Sequence, residues 1–289
     1  VEPETFATAP DIIEIAALPD DPQAQVKNHA SLVDTDGDNN ADGIKIDFEN
    51  NKLSDVILVD TDNNSKPEKI YYDTDQDAKP DMVAGHSLGE YSALVASGVI
   101  AFKDAVPLVR FRAEAMQSAV PVGTGGMAAI LGLDDATVIQ VCAEASAASG
   151  GVVEAVNFNA PGQVVIAGAS DAVTKACELL KAAGAKRALP LPVSAPFHSS
   201  LLQPASEKLK GYLANIEFNV PTISVINNVD VQTLNDPVAI KDALVRQAAK
   251  PVRWQETIQA MAQQGITQVV ECGPGKVLAG LTKRINDQV

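Results

Sequence analysis

A serine flanked by two glycines provides the clearest chemical signal in the sequence. Ser87 lies in the segment Gly85–Gly89 (GHSLG), between the apolar run Met82–Ala84 and the helix-like stretch Tyr91–Ile100. A Gly-x-Ser-x-Gly motif between a strand and a helix is typical of a nucleophile elbow. The glycines permit a sharp turn that a Cβ would block, and this turn lifts the serine hydroxyl clear of the backbone. We therefore predict that Ser87 is a nucleophile; the alternative is a glycine-rich turn with a capping serine.

The same turn predicts a site that stabilises negative charge. It places Ser87 at the N-terminus of a helix, where unpaired N–H groups and the helix dipole favour an anion. The residue after the nucleophile supplies one such N–H group in elbows of this kind. We therefore predict that the backbone N–H of Leu88 is an oxyanion donor.

A serine hydroxyl is a weak nucleophile at its ordinary pKa and needs a base. The sequence contains three histidines, His29, His86 and His198. His29 lies in an acidic N-terminal segment, and the side chain of His86 leaves the turn in another direction from that of Ser87. Elimination leaves His198 as the predicted general base, although a lone histidine is more often structural. No aspartate follows it in an obvious triad position.

Six further short motifs accompany the segment 85–91 (GHSLGEY) in a fixed order. They are 110–112 (RFR), 125–129 (GGMAA), 159–168 (NAPGQVVIAG), 195–199 (APFHS), 247–254 (QAAKPVRW) and 271–275 (ECGPG). Together they make the chain, from about Lys79 to its last residue, closely similar to the malonyl-CoA:acyl carrier protein transacylases.

This resemblance implies an acyltransferase that moves malonyl from coenzyme A to an acyl carrier protein in fatty-acid or polyketide biosynthesis. Ser87 would carry the acyl group as an ester, and His198 would be the general base. Arg112 would pair with the free malonyl carboxylate, which a guanidinium group can bind through two hydrogen bonds. Gln247 would orient the histidine in place of a triad aspartate, and His86 would support the acyl group. The resemblance implies no cofactor for catalysis, no nucleic acid and no membrane as partner.

The resemblance ends before the elbow. The family opens with a strand and a Gly-Gln-Gly-Ser-Gln loop, and the glutamine of that loop supplies a second oxyanion donor. Residues 1–81 contain no such loop. The resemblance therefore implies that this chain is an impaired enzyme, with Leu88 as its one identifiable donor.

The elements that must position these residues follow an α/β pattern. We predict a hydrolase-like core with a parallel sheet, interrupted by a ferredoxin-like insert at about residues 124–193. The predicted elements of the insert are a strand at 126–133, a helix at 134–149, strands at 152–158 and 163–167, a helix at 170–183 and a strand at 188–193.

The charge of the chain is concentrated at its beginning. The formal net charge is −15, and residues 1–81 hold 20 of the 37 acidic side chains but only 6 of the 22 basic ones. A basic surface, which nucleic-acid binding requires, is therefore not expected. The three cysteines, far apart in sequence, match no metal-binding spacing.

Oxygen-bearing side chains in this segment repeat with a period of 13 residues between positions 34 and 85. Four short apolar runs alternate with them and could stack as strands: Ile44–Ile46, Val56–Val59, Ile70–Tyr72 and Met82–Ala84. Alternate carboxylates on a tight loop can converge on calcium, which takes six to eight oxygen ligands. The pattern resembles the calcium-binding repeats of thrombospondin type 3; a solvated acidic segment is the alternative. The predicted ligands of the first and fourth units are Asp34, Asp36, Asp38, Asp42, Asp73, Asp75, Asp77 and Asp81.

The sequence thus predicts three parts: an unassigned stretch at 1–30, acidic repeats at 31–81 and an acyltransferase domain at 82–289. A calcium-binding module fused to an inactive transferase remnant is the alternative function. An ordinary esterase is a third, and Arg112 argues against it because an esterase needs no buried partner for a carboxylate. The transferase part suggests a cytoplasmic location, whereas the repeats suggest an extracellular one.

Overall fold

The computed structural model describes residues 80–287, except Ser194 and Pro274, together with four short strands that precede them. These strands are β1 (His29–Val33), β2 (Gly43–Asp47), β3 (Val56–Val59) and β4 (Lys69–Tyr72). They pair antiparallel in chain order. Three of the four apolar runs lie in β2, β3 and β4, whereas the fourth is the strand that was predicted to precede the elbow. Met82–Ala84 is paired in a different sheet.

The candidate calcium ligands lie outside the described residues, with one exception. Asp81 is described, and it is exposed immediately before the strand Met82–Ala84.

The remaining elements are five helices and two strands around the elbow, and two helices and four strands of a second layer, followed by a last helix. In chain order they are β5 (Met82–Ala84), α1 (Gly89–Ala96), α2 (Phe102–Gln117), β6 (Gly125–Leu131), α3 (Asp135–Ser149), β7 (Val153–Ala160), β8 (Gln163–Ala169), α4 (Ser170–Ala182), β9 (Arg187–Pro190), α5 (Gln203–Leu213), β10 (Ser224–Ile226), α6 (Pro237–Gln247), α7 (Trp254–Gln263) and α8 (Val277–Ile285). A 3₁₀ turn, Ser200–Leu202, precedes α5.

The core that contains the elbow is an α/β arrangement with a parallel strand pair, as predicted. β5 pairs parallel with β10, so that Met82 lies opposite Ser224 and Ala84 opposite Ile226. Apolar residues of α1, α2, α5 and α6 form one buried cluster against this strand pair. Leu94 and Leu108 belong to the cluster. A second cluster joins β10 to α7 and α8. The strand β5 therefore packs against both clusters, and the elbow follows directly after its carboxyl end.

A four-stranded sheet forms the second layer. Its strand order is β7-β8-β6-β9, and all neighbours pair antiparallel. Side chains alternate along the strands, as the pleat requires: one face packs on α3 and α4, and the other face presents Met127 and Val165 towards Phe197. β9 ends at Pro190, three residues before the predicted end of that strand. The second face thus contacts Phe197, the residue that directly precedes His198.

The two ends of helix α3 are marked by residues that can be identified from the local sequence. The side chain of Asp134 accepts a hydrogen bond from the N–H of Thr137 at the start of the helix. Gly150, in the left-handed conformation at φ 70°, ends it.

Within the described part of the chain, no helix is long and apolar enough to cross a membrane. The same residues contain no cluster of histidine, cysteine and carboxylate side chains suited to a metal ion.

Candidate active site

The turn between β5 and α1 has the geometry of a nucleophile elbow. Ser87 has a φ of 54°, a left-handed conformation that is strained for a residue with a Cβ. A Cβ on Gly85 would lie 1.9 Å from the carbonyl carbon of Gly89, so only glycine fits at position 85. A Cβ on Gly89 would meet no atom within 4 Å. The prediction that both glycines are needed for the turn is therefore wrong for Gly89, because the close approach concerns only the position before His86.

A line of hydrogen bonds leads from the serine into the protein. The Ser87 hydroxyl lies 2.7 Å from Nε2 of His198, and Nδ1 of His198 lies 2.8 Å from the backbone oxygen of Gln247. Because a carbonyl oxygen can only accept, Nδ1 carries the proton and Nε2 is left as the acceptor for the Ser87 hydroxyl. The carbonyl of Gln247 thus occupies the place where a triad would have an aspartate.

His198 is held in the neutral form that a base requires. The side chain is buried, with 4% of its surface exposed. Burial, together with the nearby positive charge of Arg112, lowers the pKa of His198 to about 3, while its hydrogen bond to Gln247 acts in the opposite direction. Unliganded His198 is therefore ready to accept the Ser87 proton over a wide range of pH.

We expect acylation of Ser87 by acetyl-CoA to lose rate only at acid pH. Because the imidazole is the base in its neutral form, the rate should stay level as pH falls from about 8 to about 5. It should then decline as the pH approaches 3. Arg112→Ala removes one cause of the lowered pKa, so the decline should begin at higher pH in that variant. The measurement is the initial rate of ester formation by intact mass spectrometry.

Circular dichroism in the same buffers separates loss of base from acid unfolding. A decline of the rate centred near pH 6.5 in the unaltered, folded chain would contradict the expected pKa of His198.

Arg112 projects from α2 into the same site. Only 6% of its surface is exposed, and its Nη2 donates to the Ser87 hydroxyl at 2.9 Å and to Oε1 of Gln247 at 3.0 Å. Its guanidinium carbon lies 5.3 Å from the centre of the Tyr91 ring. Nε of Arg112 is buried and has no hydrogen-bond partner among the described residues. No carboxylate is within salt-bridge distance of Arg112 in the described part of the chain, so the guanidinium can bind an anion from outside.

These groups open into a cavity of about 870 Å³, lined also by Met127, Asn157 and Phe197. His86 lies at its wall, where Nε2 donates to Oδ1 of Asn159 at 2.9 Å and the ring lies 5.6 Å from that of Trp254. Burial lowers the pKa of His86, which favours the neutral form of its imidazole. It lies beside the serine without contacting the hydroxyl, as the sequence predicted.

Four N–H groups of the elbow are engaged by neighbouring oxygens. Ser87 N donates to Asn228, and the N–H groups of Gly89, Glu90 and Tyr91 donate to carbonyls three residues earlier. Among the described residues no acceptor faces the N–H of Leu88. The N–H of Leu88, the residue after the nucleophile, thus remains available for an oxyanion.

Sequence reasoning missed Asn228, which clamps the elbow from the end of β10. Oδ1 of Asn228 accepts from Ser87 N at 2.7 Å, and Nδ2 donates to Gly85 O at 2.8 Å. The side chain is fully buried. An asparagine two residues after an apolar, strand-like run is a weak signal in sequence, and its partners lie more than 140 residues earlier in the chain.

We expect Asn228→Ala to destabilise the fold and slow the acylation of Ser87. It leaves a buried N–H and a buried carbonyl without partners, so the free energy of unfolding should fall by about 2–4 kcal/mol. Urea unfolding followed by circular dichroism measures this. Asn215→Ala, at an exposed asparagine after α5, is the matched control. A change no larger than that of the control would mean that the clamp contributes little.

Comparison with known proteins shows the family of the chain. The model of the family described as "Acyl transferase domain" matches residues 76–288. The chain belongs to this acyl transferase family. It is 61% identical over 206 residues to the malonyl CoA-acyl carrier protein transacylase of Escherichia coli K12, a match covering 71% of this chain and 66% of that protein. The corresponding protein of Bacillus subtilis is 49% identical, with 71% and 65% covered.

Solved structures of this family are similar to the chain as well. An acyl-carrier-protein S-malonyltransferase from Burkholderia pseudomallei is 72% identical with a TM-score of 0.72, covering 73% of this chain and 68% of that one. A malonyl-transacylase solved in complex with its type II PKS acyl-carrier protein is 54% identical with a TM-score of 0.71, covering 72% and 67%. The chain thus spans 66% of the length of the first curated relatives that it matches.

Proposed function

We propose that this chain transfers malonyl from malonyl-CoA to an acyl carrier protein through an ester on Ser87. The observation that carries this proposal is the placement of Arg112 within 2.9 Å of a serine hydroxyl that also contacts His198. A buried cation beside a nucleophile fits an acyl group that ends in a carboxylate. The malonyl transacylases among the similar proteins support the same substrate, and they support fatty-acid or polyketide biosynthesis as the setting.

The first half of the reaction follows from the hydrogen bonds. His198 Nε2 takes the proton of the Ser87 hydroxyl while Oγ attacks the thioester carbonyl of malonyl-CoA. The developing oxyanion accepts a hydrogen bond from Leu88 N–H. The C–S bond then breaks, and the coenzyme A sulfur leaves with the proton from His198. In the second half the thiol of the carrier protein attacks the Ser87 ester, and the same groups act in reverse. Neither half requires a cofactor.

Arg112 gives the site its preference for malonyl. Its guanidinium contacts no carboxylate of the described residues, and a malonyl carboxylate would pair with it. This pairing would also neutralise the charge that lowers the pKa of His198 and so strengthen the base. An esterase for neutral esters would gain nothing from a buried arginine here, because an unpaired cation disfavours an apolar acyl group.

The test of the proposed function is transfer between two purified partners. The chain is mixed with malonyl-CoA and a phosphopantetheinylated acyl carrier protein, and the mass of the carrier protein is followed over time. We expect the carrier protein to gain one malonyl group, faster than it does without the chain. Formation of the Ser87 ester without any transfer to carrier protein would exclude this function and favour a hydrolase.

We also propose that this 289-residue chain is slower than its relatives. Among the described residues, Leu88 N–H is the one oxyanion donor identified, and the loss of one donor typically lowers kcat by about 10²–10³. A side-by-side rate of malonyl transfer for this chain and for the Escherichia coli transacylase tests this. Equal rates would require a second donor that the described residues do not include.

For the remaining parts of the chain we propose the division suggested by the sequence. The β-α-β-β-α-β order from β6 to β9 supports a ferredoxin-like subdomain at about 124–193.

The period of 13 residues supports calcium binding by the repeats at 31–81. Millimolar calcium should then raise the melting temperature relative to chelator, and replacing Asp34, Asp36 and Asp38 by Asn should remove this difference while Ser87 acylation stays unchanged. Equal melting temperatures with calcium and with chelator would leave the repeats as a solvated acidic segment.

A further inference from the structure

One buried carboxylate next to the site has no part in the reaction described above. Glu90 lies in the first turn of α1, with 2% of its surface exposed. It does not line the cavity into which Ser87 opens. Its Oε2 accepts hydrogen bonds from Gln247 Nε2 at 2.8 Å and from Asn228 N at 3.0 Å. A buried carboxylate is expensive unless such donors compensate it, so its position calls for a physical role.

The hydrogen bond to Glu90 fixes which way the Gln247 side chain faces. The two ends of an amide have nearly the same shape, and only their partners distinguish them. Nε2 of Gln247 donates to Glu90 and to Ser87 O, while Oε1 accepts from Arg112. Reversing the amide would place an oxygen against the carboxylate and an NH₂ group against the guanidinium. Glu90, which can only accept when ionised, therefore excludes the reversed orientation.

The position of Arg112 depends in turn on this amide. Among the described residues, Nη2 of Arg112 donates to two acceptors, Oε1 of Gln247 and the Ser87 hydroxyl. That hydroxyl oxygen becomes an ester oxygen when Ser87 is acylated. Gln247 then remains as the protein acceptor that holds the guanidinium above the Tyr91 ring.

We propose that Glu90 is a positioning residue that orients the Gln247 amide and thereby keeps Arg112 directed at the carboxylate of the acyl group. This rests on the proposed function, because it presumes a malonyl substrate. The neutral amide between Glu90 and Arg112 has a further consequence. It holds the arginine without giving it an ion pair, so the substrate carboxylate has no protein carboxylate to displace.

The test compares malonyl-CoA with acetyl-CoA in Glu90→Gln. Burial raises the pKa of Glu90 to about 7, so the rates are measured at about pH 8, where the carboxylate is ionised. We expect the rate of malonyl ester formation on Ser87 to fall by about 10- to 100-fold, since a misplacement of about 1 Å can lower a rate by about 100-fold. The acetyl rate should fall much less. Glu178→Gln, at an exposed glutamate of α4, is the matched control and should change neither rate.

The sign of the malonyl effect distinguishes positioning from charge. Glu90→Gln removes a negative charge near Arg112, which by electrostatics alone would favour a malonyl carboxylate. A higher malonyl rate in this variant would therefore overturn the proposal, as would equal losses for malonyl and acetyl, which indicate a merely structural role. An unaltered chain that forms no malonyl ester would instead refute the proposed function.

A double-mutant cycle tests whether Glu90 acts through Gln247. In a Gln247→Met background, Glu90→Gln should cause no further loss of the malonyl-to-acetyl ratio; a second, independent loss would overturn the proposal. If the Glu90→Gln protein does not fold, Glu90→Asp is the deciding variant, because it retains a carboxylate, which can only accept when ionised. The proposal requires this variant to keep a preference for malonyl, and equal rates for the two acyl groups would contradict it.

Discussion

Ser87→Ala should form no ester with malonyl-CoA, whereas the unaltered chain should gain the mass of one malonyl group. The serine hydroxyl is the group within 2.7 Å of the buried base His198, and removal of a nucleophile of this kind lowers turnover by more than about 10⁴-fold. The measurement is intact mass after a brief incubation, followed by identification of the modified peptide.

Ser92→Ala is the matched control, since Ser92 is exposed on α1 five residues after the nucleophile. The Ser92→Ala protein should form the Ser87 ester to the same extent as the unaltered chain. A malonyl group that persists on the Ser87→Ala protein would remove this serine from the mechanism. His198→Ala should reduce ester formation to a similar extent, because the two side chains act as one unit.

Arg112→Ala should lower malonyl transfer by about 10- to 200-fold, as expected when a charged group in a buried site loses its hydrogen-bonding partner. Acetyl transfer should fall less or rise. The physical reason is that Arg112 contributes to the lowered pKa of His198, so its removal strengthens the base while it costs a neutral acyl group no ion pair. Initial rates with malonyl-CoA and acetyl-CoA measure the two effects.

The chain offers a close control for this experiment in Arg110. It lies on the same helix two residues earlier, but its side chain is 83% exposed and paired with Glu114. Arg110→Ala should leave the malonyl-to-acetyl ratio unchanged. Equal losses for both acyl groups in Arg112→Ala would mean that Arg112 does not recognise the carboxylate.

Some of the site could be predicted because the evidence for it is local. The turn at Ser87 needs a glycine at position 85 whatever surrounds it, since a Cβ there would overlap the backbone of Gly89. The choice of His198 needed only elimination among three histidines. The alternation of helices and strands from β6 to β9 follows hydrophobic periodicity and caps such as Asp134. The turn and the alternation depend on residues that are neighbours in sequence, whereas the choice of His198 depended on the small number of histidines.

Other features were decided by tertiary structure alone. The family resemblance named Gln247 as the residue that orients His198, but the acceptor for Nδ1 is its backbone carbonyl, and since every residue has a carbonyl, no residue type identifies it. The two contacts of Asn228 and the contact between Gln247 and Glu90 join segments more than 135 residues apart, and a sequence pattern does not encode such pairings.

Met82–Ala84 shows the same limit at the level of a strand. Its apolar side chains suit either the spacing of the acidic repeats or the transferase core, and sequence periodicity does not distinguish the two. Its pairing with Ser224–Ile226 assigns it to the core, because the partner of a strand is chosen by hydrogen bonds across the sheet and by what packs on its faces, both of which exist only once distant segments have come together.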